Sequence, residues 1–333
     1  MHGDPFTSLL SLVNVRSEVA GGLAAGGDWA VRFPPPDRIK FFIAARGGCW
    51  LRVDGEEPVR FEVGDVLMLT APRPFLLGSD LSLPSLDAYA LFESAGSPIS
   101  TVGDGQDFFM LGGHADLDSA CGKALLESLP DIIHLPAGSI ETDTVQWLID
   151  RLVCEHHASQ PGAAFAVTQL AQLMFLHILR GYLAAAGTPM AGRLRAVSDP
   201  RIAPAIRLMH QSPGHGWQLA ELARACAMSR TVFAGYFKSV AGVAPLAYLT
   251  QWRMQLAERA LRDSDTPLAA LSESLGYSSE SAFSIAFKRV MGTAPQRYRS
   301  AARAQAASTT TPALDYAGTG ADLALAPAQP PTD

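Results

Sequence analysis

The tightest constraint on this chain is a stretch near its carboxy-terminal end that occurs twice. Leu219-Ala220-Glu221-Leu222 matches Leu268-Ala269-Ala270-Leu271 at an offset of 49, and Met228-Ser229 matches Tyr277-Ser278. Past that turn the offset becomes 50. Phe233, Phe237, Lys238, Val240, Gly242, Pro245 and Tyr248 then match Phe283, Phe287, Lys288, Val290, Gly292, Pro295 and Tyr298. One residue is inserted in the second copy, at the turn holding Ser278 and Ser279. Each copy predicts two short helices, the first running from Leu219 to Cys226 with Leu219 and Leu222 inward. A serine at the turn caps the second helix: Ser229 in one copy, Ser278 or Ser279 in the other. That second helix sets Phe233, Phe237 and Val240, or Phe283, Phe287 and Val290, on one face at i, i+4, i+7. A short helix, a tight turn and a capped second helix make a helix-turn-helix unit, whose second helix fits a groove about 12 Å wide.

Between the copies, Leu249, Trp252, Leu256, Ala260 and Leu261 form an apolar stripe on one helix over 245–262. Eighteen residues span roughly 27 Å. Such a rod would hold two units near the roughly 34 Å pitch that separates successive groove faces of duplex DNA. Charge agrees. Residues 190–300 carry 14 Lys and Arg against 7 Asp and Glu, whereas residues 1–189 carry 11 against 22, within a chain of net charge −6. A basic segment beside an acidic one points to nucleic-acid contact confined to one domain. A duplicated helix pair that is only a helical repeat is the plainer alternative.

With 48% apolar and 17% charged residues over 333 positions, the chain can bury a core and form two or three domains. Its four scattered cysteines (Cys49, Cys121, Cys154, Cys226) form no CxxC pair and suit a reducing cytoplasm. No signal sequence is expected, and the apolar run 170–183 is broken by Gln172, His177 and Arg180, so no membrane span is expected.

The amino-terminal half has a different texture. An amphipathic turn or two over 5–15 precedes short strands at 39–43, 50–53, 59–63 and 66–69, separated by Gly and Asp turns, with further strand candidates at 86–93 and 107–111. This spacing predicts an antiparallel β sandwich or barrel. Beyond Pro136 the strands stop. One helix is expected over 145–157, capped by Thr142 or Thr144, and a second over 163–185, ended by Ala186-Gly187-Thr188-Pro189. The pair either packs on the β domain or forms a dimer contact. Asp199-Pro200 reads as an N-cap followed by Pro at N1. From Ser300 the chain is Ala, Thr and Pro rich and is expected to be disordered.

Residues 217–299 resemble the DNA-binding domain of the AraC/XylS family of bacterial transcription regulators. The resemblance lies in Leu219-Ala-Glu-Leu-Ala-Arg, Met228-Ser-Arg, Tyr248-Leu-Thr-Gln-Trp-Arg-Met, the run from Gly276 to Gly292, and Pro295-Gln-Arg-Tyr-Arg. The amino-terminal half is similar to the cupin-type sensor domains of one branch of that family, through Arg46-Gly-Gly-Cys-Trp-Leu, Val63-Gly-Asp-Val-Leu, Arg73-Pro-Phe and Gly112-Gly-His. The expected fold is therefore a multidomain α+β chain: a cupin-like antiparallel β barrel over 1–136, a helical linker over 137–190, an all-α double helix-turn-helix domain over 196–300, and a tail over 301–333. By the family's pattern, Arg230, Thr231, Ala234 and Gly235 would face bases from the first unit. Ser279, Glu280, Ser281, Ser284 and Ile285 would do so from the second. Gly235 and Ile285 stand where many members carry Arg, so bidentate guanine contacts are missing there. Glu280 either accepts from a cytosine amino group or serves its helix N-terminus. Lys238, Arg253, Lys288, Arg289 and Arg297 are assigned to phosphates.

The resemblance implies promoter DNA as partner, RNA polymerase and a second copy of the chain as further candidates, and a cytoplasmic regulator, with activation and repression both open. By side-chain type, Phe42, Arg46, Trp50 and Met68 would line a pocket for a small apolar or aromatic effector with one anionic group, and His114 is a further lining candidate. Cys49 and Cys121 are candidates for sensing oxidants. The rival reading is a metal-dependent cupin enzyme with an accessory helical domain. It would need clustered histidines, but the strands from Trp50 to Leu77 have none and Phe75 stands where related sensors often carry His. No metal, no cofactor and no catalytic residue are expected.

Overall fold

The computed structural model describes residues 4–13, 15–94, 99–117, 119–138, 142–157, 160–185 and 192–309. The chain opens with α1 (Pro5–Val13), β1 (Val15–Ala25), β2 (Ala30–Phe33), β3 (Ile39–Arg46), β4 (Gly48–Val53), β5 (Val59–Glu62), β6 (Val66–Leu69) and β7 (Phe75–Gly78). It continues through β8 (Leu86–Asp87), α2 (Ala88–Ser94), β9 (Ile99–Val102), β10 (Phe108–Leu117), α3 (Ala120–Leu126) and β11 (Ile132–Leu135). Helices follow: α4 (Thr142–His157), α5 (Ala163–Ala184), α6 (Arg193–Ser198), α7 (Ala203–Gln211), α8 (Leu219–Ala225), α9 (Arg230–Ala241), α10 (Pro245–Asp263), α11 (Leu268–Ser274), α12 (Glu280–Met291) and α13 (Pro295–Thr309).

The strands form two sheets, ordered β11-β6-β3-β10-β1-β9 and β5-β4-β7-β2-β8. They are not closed into the expected barrel. Among the described residues, strand pairing stays within each sheet, and the edge pairs β1–β9 and β2–β8 are parallel. The larger sheet is apolar on both faces. Along β3, Phe42 and Ala44 point into the space between the sheets, while Phe41 and Ile43 point to the other side. Along β6, Leu67 and Leu69 face inward and Val66 and Met68 face outward. A continuous apolar run is what two covered faces require. The core between the sheets joins those inward residues to Val31, Leu51, Phe61 and Phe75 of the smaller sheet.

Helices α1, α3, α4 and α5 cover the outer face of the larger sheet, and their core runs without a break into α6–α10. Helix α5 spans 22 residues and is long and apolar enough, by length and composition alone, to cross a membrane. Here Leu170, Met174, Phe175, Ile178 and Leu179 place it in that core instead.

Four local expectations need correction. The strand expected over 86–93 ends at Asp87, whose carboxylate accepts the Ala90 N–H at 3.0 Å and so caps α2. Asp199 ends α6 rather than starting α7. Its carboxylate turns the chain by accepting the N–H groups of Arg201 (2.9 Å) and Ile202 (3.3 Å), and α7 begins at Ala203 with Pro in its first turn. Helix α4 starts at Thr142, which removes Thr144 as its cap, and Thr142's own side chain lies outside the described residues. Helix α13 carries ordered backbone to Thr309, so the expected tail from 301 is helical in its first nine residues. Residues 310–333 and the Ala186–Pro189 helix stop lie outside the described residues.

Candidate nucleic-acid interface

The two repeats fold alike. Ser229 accepts the Val232 N–H at 3.3 Å and Ser279 accepts the Ala282 N–H at 3.1 Å, which settles the second cap on Ser279. Gly242 and Gly292 end α9 and α12 at φ 74° and 77°, a left-handed conformation in which glycine avoids a Cβ clash. The Phe237 and Tyr248 rings meet edge-on at 5.6 Å and 78°; Phe287 and Tyr298 do so at 5.7 Å and 78°. The turns also agree. Ala227 and Gly276 both take positive φ, and Met228 N–H to Ala223 C=O (3.0 Å) has its counterpart in Tyr277 N–H to Ser272 C=O (2.9 Å). Val290 breaks the pattern: it was expected on the buried face with Val240 but is exposed, while Val240 is buried.

Their cores differ. The first unit's Phe233 and Phe237 belong to the large core shared with the sensor half. The second unit has its own core of Met254, Ala257, Leu261, Leu268, Leu271, Leu275, Phe283, Ala286 and Phe287. Helix α10 belongs to both, with Tyr248, Leu249 and Trp252 in one core and Met254, Ala257 and Leu261 in the other.

The rod is not the only link between the units. Arg253 Nε donates to the Pro213 carbonyl at 2.6 Å and a terminal nitrogen donates to the His215 carbonyl at 2.9 Å. The same guanidinium lies 5.7 Å from the Tyr277 ring centre. A Cβ on Gly276 would come within 2.2 Å of the Gly214 carbonyl oxygen, so the α7–α8 loop and the α11–α12 turn touch backbone to backbone. Arg253, read from the sequence as a phosphate ligand, is thus occupied in fastening one unit to the other. Partial burial also pulls its pKa downward.

On the outward faces of α9 and α12, Arg230, Thr231, Gly235, Glu280, Ser281 and Ile285 are exposed, and Ala234 and Ser284 are partly exposed. Ser279 is exposed too, but its hydroxyl is engaged as a cap. Arg230 and Glu280 occupy the same first position of their helices. There the helix dipole favours Glu280 and opposes Arg230 by about 0.3–1 kcal/mol, so folding alone does not account for Arg230. Lys238, Lys288 and Arg289 are exposed in the last turns, where the dipole favours them, and Arg297 is exposed in the first turn of α13.

The five effector candidates do not converge. Phe42 lines a cavity of about 290 Å³ at one end of the space between the sheets, with Phe33, Phe75, Phe92, Met110 and Lys40. Met68 lies on the opposite face of its sheet, one residue out of phase. Trp50 is 39% exposed with Arg60 over its ring, and Arg46 donates to the Gly105 carbonyl at 2.8 Å. His114 pairs with Arg38 at 2.9 Å. Lys40, the cation of the cavity, carried no sequence signal beyond being a lone charge in an apolar strand. Cys49 and Cys121 are buried, and burial pushes their thiols up to about 12 and about 11, away from the reactive thiolate.

A second feature escaped the sequence. Cys121 of α3 lies beside Arg193 of α6, whose guanidinium donates to Gln251 at 3.0 Å and sits 5.7 Å from the Tyr248 ring centre. His210 stacks on Trp252 at 3.6 Å and bonds the Tyr248 hydroxyl at 2.9 Å. Burial, then Arg193, pulls the His210 pKa down to about 3, so the ring is neutral. This polar cluster lies where the sensor half meets the first unit.

Comparison with known proteins matches two parts of the chain. Residues 4–184 match the cupin family profile and residues 222–301 match a helix-turn-helix domain profile. The chain is 42% identical to an AraC-like transcription regulator of Streptomyces antibioticus, covering 89% of this chain and 98% of the relative. It is 40% identical to another from Streptomyces lividans, with the same coverages. A solved structure of the DNA-binding domain of AdpA with a target DNA is 32% identical, covering 32% of this chain and 96% of that one, with a TM-score of 0.31.

Proposed function

Because the chain belongs to the AraC/XylS family of DNA-binding transcription regulators, we propose that one chain reads two successive major-groove segments and that a small molecule bound between its sheets controls this reading. The observation that carries the proposal is the matched geometry of α9 and α12 on one shared helix. Helix α10, at 19 residues, is about 28 Å long. Together with the Arg253 fastening, it fixes the two outward helices relative to each other. Arg230, Thr231, Ala234 and Gly235 would face bases in one groove segment, and Glu280, Ser281, Ser284 and Ile285 in the next. Lys238, Lys288, Arg289 and Arg297 would hold phosphates. Arg253 is a positioning residue.

Residues 1–136 would serve as sensor, 137–190 as connector and 196–300 as reader. The effector cavity combines aromatic walls with one cation, Lys40, and one carboxylate, Asp37. Asp37 lies 3.9 Å from the Arg38 guanidinium, so Lys40 is the charge left to meet a small apolar molecule carrying one anionic group. Its floor is formed by β1, β3 and β10, whose other face carries the packing of α1 and α3 against the first unit. An effector that favours one arrangement of that floor would bias the first unit's position. Buried thiols make a ligand the better-supported signal than an oxidant. Exposed Trp147 and Phe165 on α4 and α5 support a contact between two chains.

The test is promoter-DNA affinity of the full chain, measured across a panel of small aromatic and aliphatic carboxylates. At least one should change affinity about tenfold or more, within the usual range of allosteric coupling. Gly112→Leu should abolish that response and keep effector-free DNA binding, because a side chain there fills the cavity beside Phe42, at ordinary contact distance for its Cβ (3.4 Å). A Gly112→Leu chain that still responds fully would remove the cavity as the sensing site.

A further inference from the structure

The two outward helices are chemically unequal at their centres. Ile285 of α12 is 71% exposed, and its counterpart on α9 is Gly235, where even a Cβ would meet nothing within 4 Å. Ile285 takes no part in the second unit's core. An isoleucine facing water in mid-helix has lower helix propensity than alanine, so neither packing nor helix formation accounts for it. Its neighbours on the exposed surface are Ser281, Ser284, Lys288 and Arg289, a polar and basic surround suited to a phosphate-lined groove.

We propose that the second unit selects a thymine, through contact between the Ile285 side chain and the C5 methyl group of the base. Of the four bases, thymine alone presents a methyl group in the major groove. An aliphatic side chain offers nothing to the polar edges of guanine, cytosine or adenine and strips them of water, which costs free energy where no hydrogen bond replaces it. The hydroxyls of Ser281 and Ser284 both donate and accept, and so discriminate little. Glu280 stands at the first position of α12, where the helix dipole accounts for its charge. Ile285 is then the discriminating residue at the centre of α12, while the first unit, flat at Gly235, leaves selection to Arg230 and Thr231. This inference rests on α12 lying in the groove.

The test uses the full chain and the best duplex recovered from a random pool. Each thymine in the segment protected by α12 is replaced singly by deoxyuridine, which lacks only the methyl group. At one position the wild-type chain should lose about fourfold or more in affinity, the effect of burying one methyl-sized group. Ile285→Ala, at an exposed site that costs the core nothing, should lose less than about 1.5-fold for the same swap. The proposal is overturned if no single uridine weakens wild-type binding, or if Ile285→Ala keeps the full penalty. Ile285→Arg separates the underlying reading: should it leave both affinity and protection of the second segment unchanged, α12 is not in the groove at all.

Discussion

Phe287→Ala is expected to melt the second unit while the first remains folded. Phe287 is fully buried in the small core that α10–α12 build for themselves. Truncating a buried phenylalanine costs about 3–5 kcal/mol, comparable to the whole stability of a unit of some fifty residues. Its counterpart Phe237 is equally buried, yet belongs to the core that runs through the sensor half. The same truncation there should lower the stability of the whole chain without releasing one unit. Native-state hydrogen exchange distinguishes the two cases. In Phe287→Ala, amides of α11 and α12 should lose protection while those of α9 keep it, and DNA protection should shrink to the first segment. Equal loss of protection in both units would mean that the two cores act as one.

Affinity for DNA should fall about 150-fold between 50 and 200 mM salt. Four phosphate ligands, Lys238, Lys288, Arg289 and Arg297, release counterions to give a log–log slope of about −3.6. Arg289→Ala should flatten the slope to about −2.7 and weaken binding to all sequences alike, since phosphate contacts position without reading. Arg253→Met should behave differently. Its guanidinium is spent on the Pro213 and His215 carbonyls, so the slope should hold while the fixed relation between the units loosens. An Arg289→Ala slope equal to wild type would remove Arg289 from the phosphates, and a flattened Arg253→Met slope would return Arg253 to them.

The contrast between Arg253 and Lys238 shows where the sequence was legible. The repeat could be read because its determinants are local: aromatic residues one helical turn apart, a serine three residues before the N–H it caps, a glycine where the helix must stop. The bihelical units, the connecting helix and α5 follow from such signals. What depends on remote partners could not be read. Nothing near Arg253 in the chain indicates that the carbonyls of Pro213 and His215 lie within reach. The side to which Met68 points cannot be read from Val66-Leu67-Met68-Leu69, which is apolar throughout, because a strand buried on both faces gives no parity signal. Strand β1 gives no sequence signal, since Gly21, Gly22, Ala24 and Ala25 carry no alternation; its ladder with β10, not its side chains, defines it. The helix at 88–94 carries the pattern of a strand because Asp87, the residue that turns one into the other, differs from other exposed aspartates only through its contact with the Ala90 N–H.

Since the first unit shares its core with the sensor half, the full chain is the object to measure. Hydroxyl-radical footprinting of a promoter duplex, at a stoichiometry fixed independently to one chain per duplex, asks most directly whether a single chain carries two readers. Two protected segments on one face of the DNA, centred about 10 base pairs apart, are expected. One segment alone, or a second that appears only when a second chain binds, would contradict it.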